Sequence, residues 1–275
     1  MDSKMNAATP EKTQVLIEAN VREKLRGLDG MIEDCLRGVH FTVPTTPGRD
    51  VQILPLRDLP AKKGLSLKEG QARLVHDLAS IELQAMELCL RTLIEFPLAA
   101  GEFRLGLADI ARDEGRHLKL CLDALDDLGF PWGSFPAHVM LWHSVAADDS
   151  LLDRIVIVHR YLEGSGLDAT DTIFRRLSGV PAPEAKRAVE VISRDEVGHV
   201  KFGSHWYHRL LKSQGMQPED DFGPRLARVI SRIPRRIEPI AHAIRLQAGF
   251  LESEIAVLEK IRADWLDPAR ARVHA

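Results

Sequence analysis

Two segments of this sequence place a glutamate and a histidine three residues apart, Glu114 with His117 and Glu196 with His199. On a helix that spacing leaves the two side chains within about 60° of each other, on one face. A single glutamate precedes each pair at nearly constant distance, Glu82 by 32 residues and Glu163 by 33. Apolar residues recur around all of them at helical spacing: Val75, Ala79 and Met86 about Glu82, Leu107, Ile110 and Cys121 about the first pair, Leu152 and Ile155 before Glu163, and Val189 and Ile192 before the second pair. The acids therefore fall in the middle of faces that should be buried. An ionised carboxylate buried without a partner costs several kcal/mol even after relaxation, so four of them require positive charge between them. Metal cations supply it. Four carboxylates and two imidazoles, one Glu from each of two helices and Glu-x-x-His from each of two more, are the donor set of a two-metal carboxylate centre. One Glu-x-x-His alone says little, because solvated helix faces carry such pairs; two pairs with two partner glutamates on four apolar stripes are specific.

Three further residues are candidates for catalytic support. Asp113 and Asp195 each precede a Glu-x-x-His glutamate, and a metal-bound imidazole donates its other N–H to such a carboxylate. His159 lies one turn before Glu163; a seventh ligand, a proton donor and a hydrogen-bonded core histidine are all compatible with that place. Glu87 falls about 140° off the stripe of Glu82 and is expected at the surface or outside the ligand set. Gly164 and Gly166 directly follow Glu163, where they open space beside the metals, mark a helix distortion, or end the helix.

The elements that must hold these groups are helices. Windows with helical apolar spacing run over residues 67–96, 98–128, 148–177 and 183–212, and Pro97, Gly129 with Pro131, Gly179 with Pro181, and Gly215 stop them. A 19-residue connection, 129–147, separates the second from the third. Four long helices with one long middle connection match a ferritin-like four-helix bundle. Residues 1–66 read as a helix over 14–39 followed by an extended Pro- and Gly-containing arm, 67–215 as the bundle, and 216–275 as a helical extension broken by Pro234 and Pro239. Strand and hairpin signals are nearly absent, so the fold class expected is all-α.

Composition sets outer limits. With 45% apolar and 28% charged residues in 275, the chain is neither disordered nor a disulfide scaffold. Its three cysteines, Cys35, Cys89 and Cys121, are widely spaced and form no C-x-x-C, which reads as small core residues. No stretch reaches the roughly 20 apolar residues of a membrane helix, and the first twelve residues lack a leader's apolar core, so a cytoplasmic location away from membranes is expected. A net charge of −3 offers no general attraction for nucleic acid. The one local exception, five arginines within residues 224–236, reads first as a solvated helix face and second as a phosphate-facing patch.

The segments HDLASIELQAMEL (76–88), RDEGRH (112–117), WGSFPAH (132–138), LEGSGLDAT (162–170) and RDEVGHV (194–200) resemble a bacterial ferritin-like family catalogued as a domain of unknown function. The similarity spans about residues 46–216 and 245–254. The resemblance implies a ferritin-like bundle with a di-iron centre whose ligands fall on Glu82, Glu114, His117, Glu163, Glu196 and His199. It supplies no substrate. One position departs from the family's pattern: His159 stands where the resemblance leads one to expect Pro, which suggests a specialised member.

These readings converge on a non-haem dimetal oxidoreductase. It would hold two iron ions, or a manganese–iron or dimanganese pair, with dioxygen as cosubstrate, a small-molecule or carrier-linked substrate and an electron donor. The arms would serve as a substrate lid or a homodimer interface. The alternatives are ferroxidase, storage or peroxide-scavenging metal handling without an organic substrate, a tRNA-modifying hydroxylase, and a degenerate bundle without metal.

Overall fold

A computed structural model describes residues 14–267, and among them the fold is entirely helical, with one isolated parallel bridge between Ile53 and Ala137. Residues 1–13 and 268–275, including the segment on which the leader expectation rests, lie outside that description. Helix α1 covers Val21–Leu36, α2 Lys68–Glu95 and α3 Gly101–Leu128. Next comes one continuous rod made of α4 (Leu151–Ile155), a π-helical segment (Val156–Leu162) and α5 (Glu163–Leu177). Helix α6 covers Pro183–Ser213, and α7 (Pro218–Val229), α8 (His242–Gln247) and α9 (Glu252–Leu266) complete the chain.

The breaks have local causes. Asn20 caps α1 by accepting from the amides of Arg22 (3.0 Å) and Glu23 (3.1 Å), so the helix starts later than the periodicity alone suggests. Helix α3 ends on Gly129 at φ +78°, a left-handed position that costs glycine nothing. Helix α7 begins at Pro218, six residues before Pro224, which sits inside it. The break in the tail falls between α7 and α8 and contains Pro234 and Pro239.

Helices α2, α3, α6 and the α4–α5 rod pack against one another, with α2 lying along α3 most extensively. Helix α3 buries one face at three- and four-residue intervals, through Phe103, Leu107, Ile110, Glu114, His117, Cys121 and Leu125. Helix α2 differs: 20 of its 28 residues are buried, so it is covered on every side. The arm lies across its back, bonded through Gly48 N to Leu16 O (2.9 Å) and by Trp142 Nε1 donating to Thr45 O (3.0 Å). Gln84 of α2 accepts from the amides of Leu141 and Trp142 and donates to His138 O, which fixes the long connection over the same helix.

That coverage rules out the surface alternative for Glu87. It is fully buried, paired with Lys24 Nζ at 2.8 Å and held by both guanidinium nitrogens of Arg49 at 2.7 and 2.5 Å. A carboxylate off the expected face is buried here because α1 and the arm supply two cations to meet it. The three cysteines are free and buried.

Candidate metal centre

Glu82 comes from α2, Glu114 and His117 from α3, Glu163 from the first residue of α5, and Glu196 and His199 from α6. None of the six is more than 8% exposed. Ligand-type atoms of Glu82, Glu114, His117 and Glu196 lie within 4.8 Å of one another. His199 adjoins that group, and Glu114 stands between the histidines with one carboxylate oxygen toward each. Oε1 is 3.1 Å from His199 Nδ1, and Oε2 is 3.6 Å from His117 Nδ1. His117 Nδ1 also faces Glu82 Oε2 at 3.2 Å, and His199 Nδ1 faces Glu196 Oε1 at 3.7 Å. Glu163 is turned instead toward His159, whose Nδ1 is 2.8 Å from Glu163 Oε1.

The outer nitrogens of the two imidazoles are crossed between helices. His117 Nε2 on α3 meets Asp195 Oδ2 on α6 at 3.2 Å, and His199 Nε2 on α6 meets Asp113 Oδ2 on α3 at 3.4 Å. Arg194 Nε donates to Asp195 Oδ1 at 2.9 Å, and Arg116 bonds Asp113. A carboxylate on Nε2 fixes the proton there and leaves the Nδ1 lone pair directed inward. Asp113 and Asp195 thus orient the histidines from outside.

Burial and mutual repulsion set the protonation of this cluster. Burial, reinforced by the Glu114 charge, lifts the Glu82 carboxyl well above the ordinary carboxylate range. The same two causes push Glu196 up to about 7. Burial also opposes charge on Glu114, but the adjacent His117 and His199 outweigh it and hold that carboxyl below its usual value. Burial disfavours charge on both imidazoles, yet the carboxylates around them carry His117 up to about 10 and His199 up to about 12. With no cation other than protons, Glu82, His117 and His199 retain protons at neutral pH, Glu196 is about half protonated and Glu114 stays ionised.

Protons do not complete it. Both oxygens of Glu114, Oε2 of Glu163, Oε2 of Glu196 and Nδ1 of His199 are buried without a hydrogen-bond partner. Buried polar groups in folded proteins are paired almost without exception, so five such atoms in one place mark a position for a charged guest. Carboxylate and imidazole donors suit iron, manganese or zinc. The residues fit a metal.

The π-helical segment aims Glu163. The Glu163 amide bonds Val158 O, five residues back, so the rod gains an extra residue just before this candidate ligand. His159 lies inside this segment, buried, edge-on to Phe202 and with Nε2 unpartnered. Gly203 of α6 makes its place, since a Cβ there would collide with the Cβ of His159. A residue that sequence reasoning missed supports the segment from outside. Arg245 Nη1 donates to Arg160 O (2.9 Å), while Nε and Nη2 grip Asp168 at 3.1 and 2.6 Å. The absence of a side chain at Gly164 was the available signal.

A cavity of about 140 Å³ borders Glu82, Glu163 and Glu196; its other walls are mostly apolar, among them Ala85, Leu88, Leu162 and Ile192. Gly166 lies at its edge, exposed and with nothing within 4 Å of where a Cβ would stand. Arg236 lines it too. The arginine-rich stretch that supplies Arg236 is no free basic face: Arg225 and Arg228 pair with Asp153, and Arg232 with Asp149.

An all-α chain whose helices bury a Glu/His cluster able to hold a metal ion is the class that this fold and site define. The chain belongs to the family described as Protein of unknown function (DUF455), whose model matches residues 9–256. An uncharacterized protein of Haemophilus influenzae is 30% identical over 258 residues, which cover 86% of this chain and 88% of that protein. No solved structure matches. Among the described residues no helix is long and apolar enough to cross a membrane.

Proposed function

We propose that this chain is a ferritin-like four-helix bundle carrying a two-metal carboxylate centre, most simply di-iron, that activates dioxygen to oxidise or hydroxylate an organic substrate. The observation that carries the reading is Glu114: fully buried, with one unpartnered oxygen toward each histidine, it has the disposition of a carboxylate shared by two cations. Glu82 and His117 would complete one side, and Glu196, His199 and Glu163 the other. Bound there, a pair of redox-active metals would supply the electron transfer that reduces dioxygen.

The chain's own residues do the rest. Asp195 and Asp113 hold the imidazole protons on Nε2 and keep both Nδ1 atoms inward. His159 holds Glu163 through Oε1 and leaves Oε2 buried without a partner, available to a metal. The apolar cavity excludes water and gives a substrate carbon a place beside three of the acids. That cavity favours an organic substrate over metal storage, and the ion pairs of Arg225, Arg228 and Arg232 leave little basic surface for RNA.

Elemental analysis of the full chain should find two iron or manganese ions per chain, and the reduced, iron-loaded protein should consume dioxygen. If it consumed none with any electron source, the oxygenase reading would fail. A large cage taking up many irons per chain would favour storage instead.

A further inference from the structure

The cavity beside the acids has one cationic wall. Arg236 lines it from the irregular stretch between α7 and α8. That stretch is strapped down by Tyr161 Oη donating to Pro234 O (2.6 Å), Arg262 donating to Glu238 O, and Ala241 N donating to Asp168 Oδ1 (3.0 Å). The strap therefore holds Arg236 in place rather than leaving it on a loose tail. Unlike Arg225, Arg228 and Arg232, Arg236 is in no ion pair among the described residues, and its Nε is buried without a hydrogen-bond partner. It is half-buried, and its neighbours Arg235 and Ile237 are exposed, which places it at the mouth. Exposed Gly166 and half-buried Thr170 line the same cavity.

A guanidinium left unpaired at the mouth of an apolar cavity is matched by an anion that enters with its carbon body first. A planar carboxylate suits the single fork of one arginine. At about 140 Å³ the space beyond it takes roughly one benzene ring, or a chain of about six carbons. We propose that the cavity binds a small amphiphilic carboxylate, its head on Arg236 and its apolar body against Ala85, Leu88 and Ile192, beside Glu82, Glu163 and Glu196. This names a substrate class for the centre and rests on the functional reading above.

Calorimetric titration of the full chain as purified tests it, with phenylacetate and hexanoate as probes and phenylacetamide as the neutral counterpart. Both acids should bind saturably at about millimolar concentration. The amide should bind about ten- to hundredfold more weakly than phenylacetate, and Arg236→Gln should weaken phenylacetate by a similar factor. Arg236→Lys should recover part of the loss, and Gly166→Leu, which meets open space and narrows the mouth, should weaken both acids. Equal affinity for acid and amide, or an Arg236→Gln protein that binds phenylacetate as the parent does, would overturn the assignment, because the head would then lie on the metals or elsewhere. Failure of both acids to bind would overturn it as well. Metal content and dioxygen uptake of the same sample decide the underlying reading separately.

Discussion

The guanidinium of Arg245 occupies the space that a side chain on residue 164 would need: a Cβ on Gly164 would stand 2.7 Å from Cζ. Arg245 is fully buried and bonds the Arg160 carbonyl inside the π-helical segment. The glycine directly after the candidate ligand Glu163 thus admits the residue that ties down the distorted turn before it. Gly164→Ala should force the guanidinium to move and cost about 1–3 kcal/mol, as overpacking does. Gly166→Ala, two residues on, meets nothing and should be neutral or stabilising by up to about 1 kcal/mol, because Ala is the better helix former. Chemical denaturation of both variants measures the contrast, and only Gly164→Ala should also lower the metal content.

The crossed pairing of histidines and aspartates gives a second expectation. Asp195→Asn and Asp113→Asn should each weaken metal binding by about 10–100-fold, since each loosens one imidazole. Asp195 reaches His117 and Asp113 reaches His199. In double-mutant cycles Asp195→Asn should therefore be non-additive with His117→Ala and nearly additive with His199→Ala. The opposite pattern would mean that each aspartate serves the histidine of its own helix.

Metal binding should depend steeply on pH. The folded, metal-free cluster keeps protons on Glu82, on Glu196 (up to about 7), on His117 (about 10) and on His199 (about 12). A cation must displace them, so affinity should fall as pH is lowered, and binding at pH 7 should release more than one proton per chain. Titration in buffers of different ionisation enthalpy counts these protons. Stability of the metal-free protein should run the other way. The histidines' folded values are raised, so their contribution is fully present below about 6.5 and is lost as pH rises, through about 10 for His117 and about 12 for His199. Glu196, raised from 4.5 to about 7, binds its proton more tightly folded than unfolded, so its contribution is lost as pH rises across that window. Melting curves of metal-free protein should fall with rising pH, and loading with metal should reverse the trend.

The long helices and the buried Glu/His group of Glu82, Glu114, His117 and Glu196 were legible because their information is periodic and local. Apolar stripes with stops at Pro97, Gly129 and Gly179 define long helices, and an acid centred on each stripe is visible without knowing how the stripes meet. What could not be read depends on partners far along the chain. Whether Glu87 lay at the surface or behind the candidate ligands could not be told from the stripe of α2, because the cover comes from Lys24 and Arg49 on its back. The π-helical segment has no signature in Val156–Leu162 itself; its brace, Arg245, lies 85 residues beyond the carbonyl it bonds. Which aspartate serves which histidine follows only from the placement of α3 against α6. The arginines of 224–236 read as a solvated helix face or a patch because their partners Asp149 and Asp153 come from before and within α4.

The tail is fastened to the site by a second buried charge, and its removal should be among the most damaging single changes. Arg160, within the π-helical segment and fully buried, is held by both oxygens of Glu254 at 2.7 Å and enclosed by the rings of Tyr207, Phe222 and Phe250. Rings can stabilise a cation, but they do not replace its hydrogen bonds. Glu254→Ala would leave an unpaired buried guanidinium one turn from Glu163, at a cost of about 3–5 kcal/mol. Glu254→Gln keeps an acceptor and should cost less. Burial opposes the charge of Glu254, but the Arg160 bonds outweigh it and hold the carboxyl down to about 2. Its stabilisation is therefore present above about 4.5 and lost as pH falls toward 2. Acid titration of the melting temperature should show the parent losing stability across that window and Glu254→Gln losing less. If the two proteins titrated alike there, the pair would not be what anchors the tail against the π-helical turn.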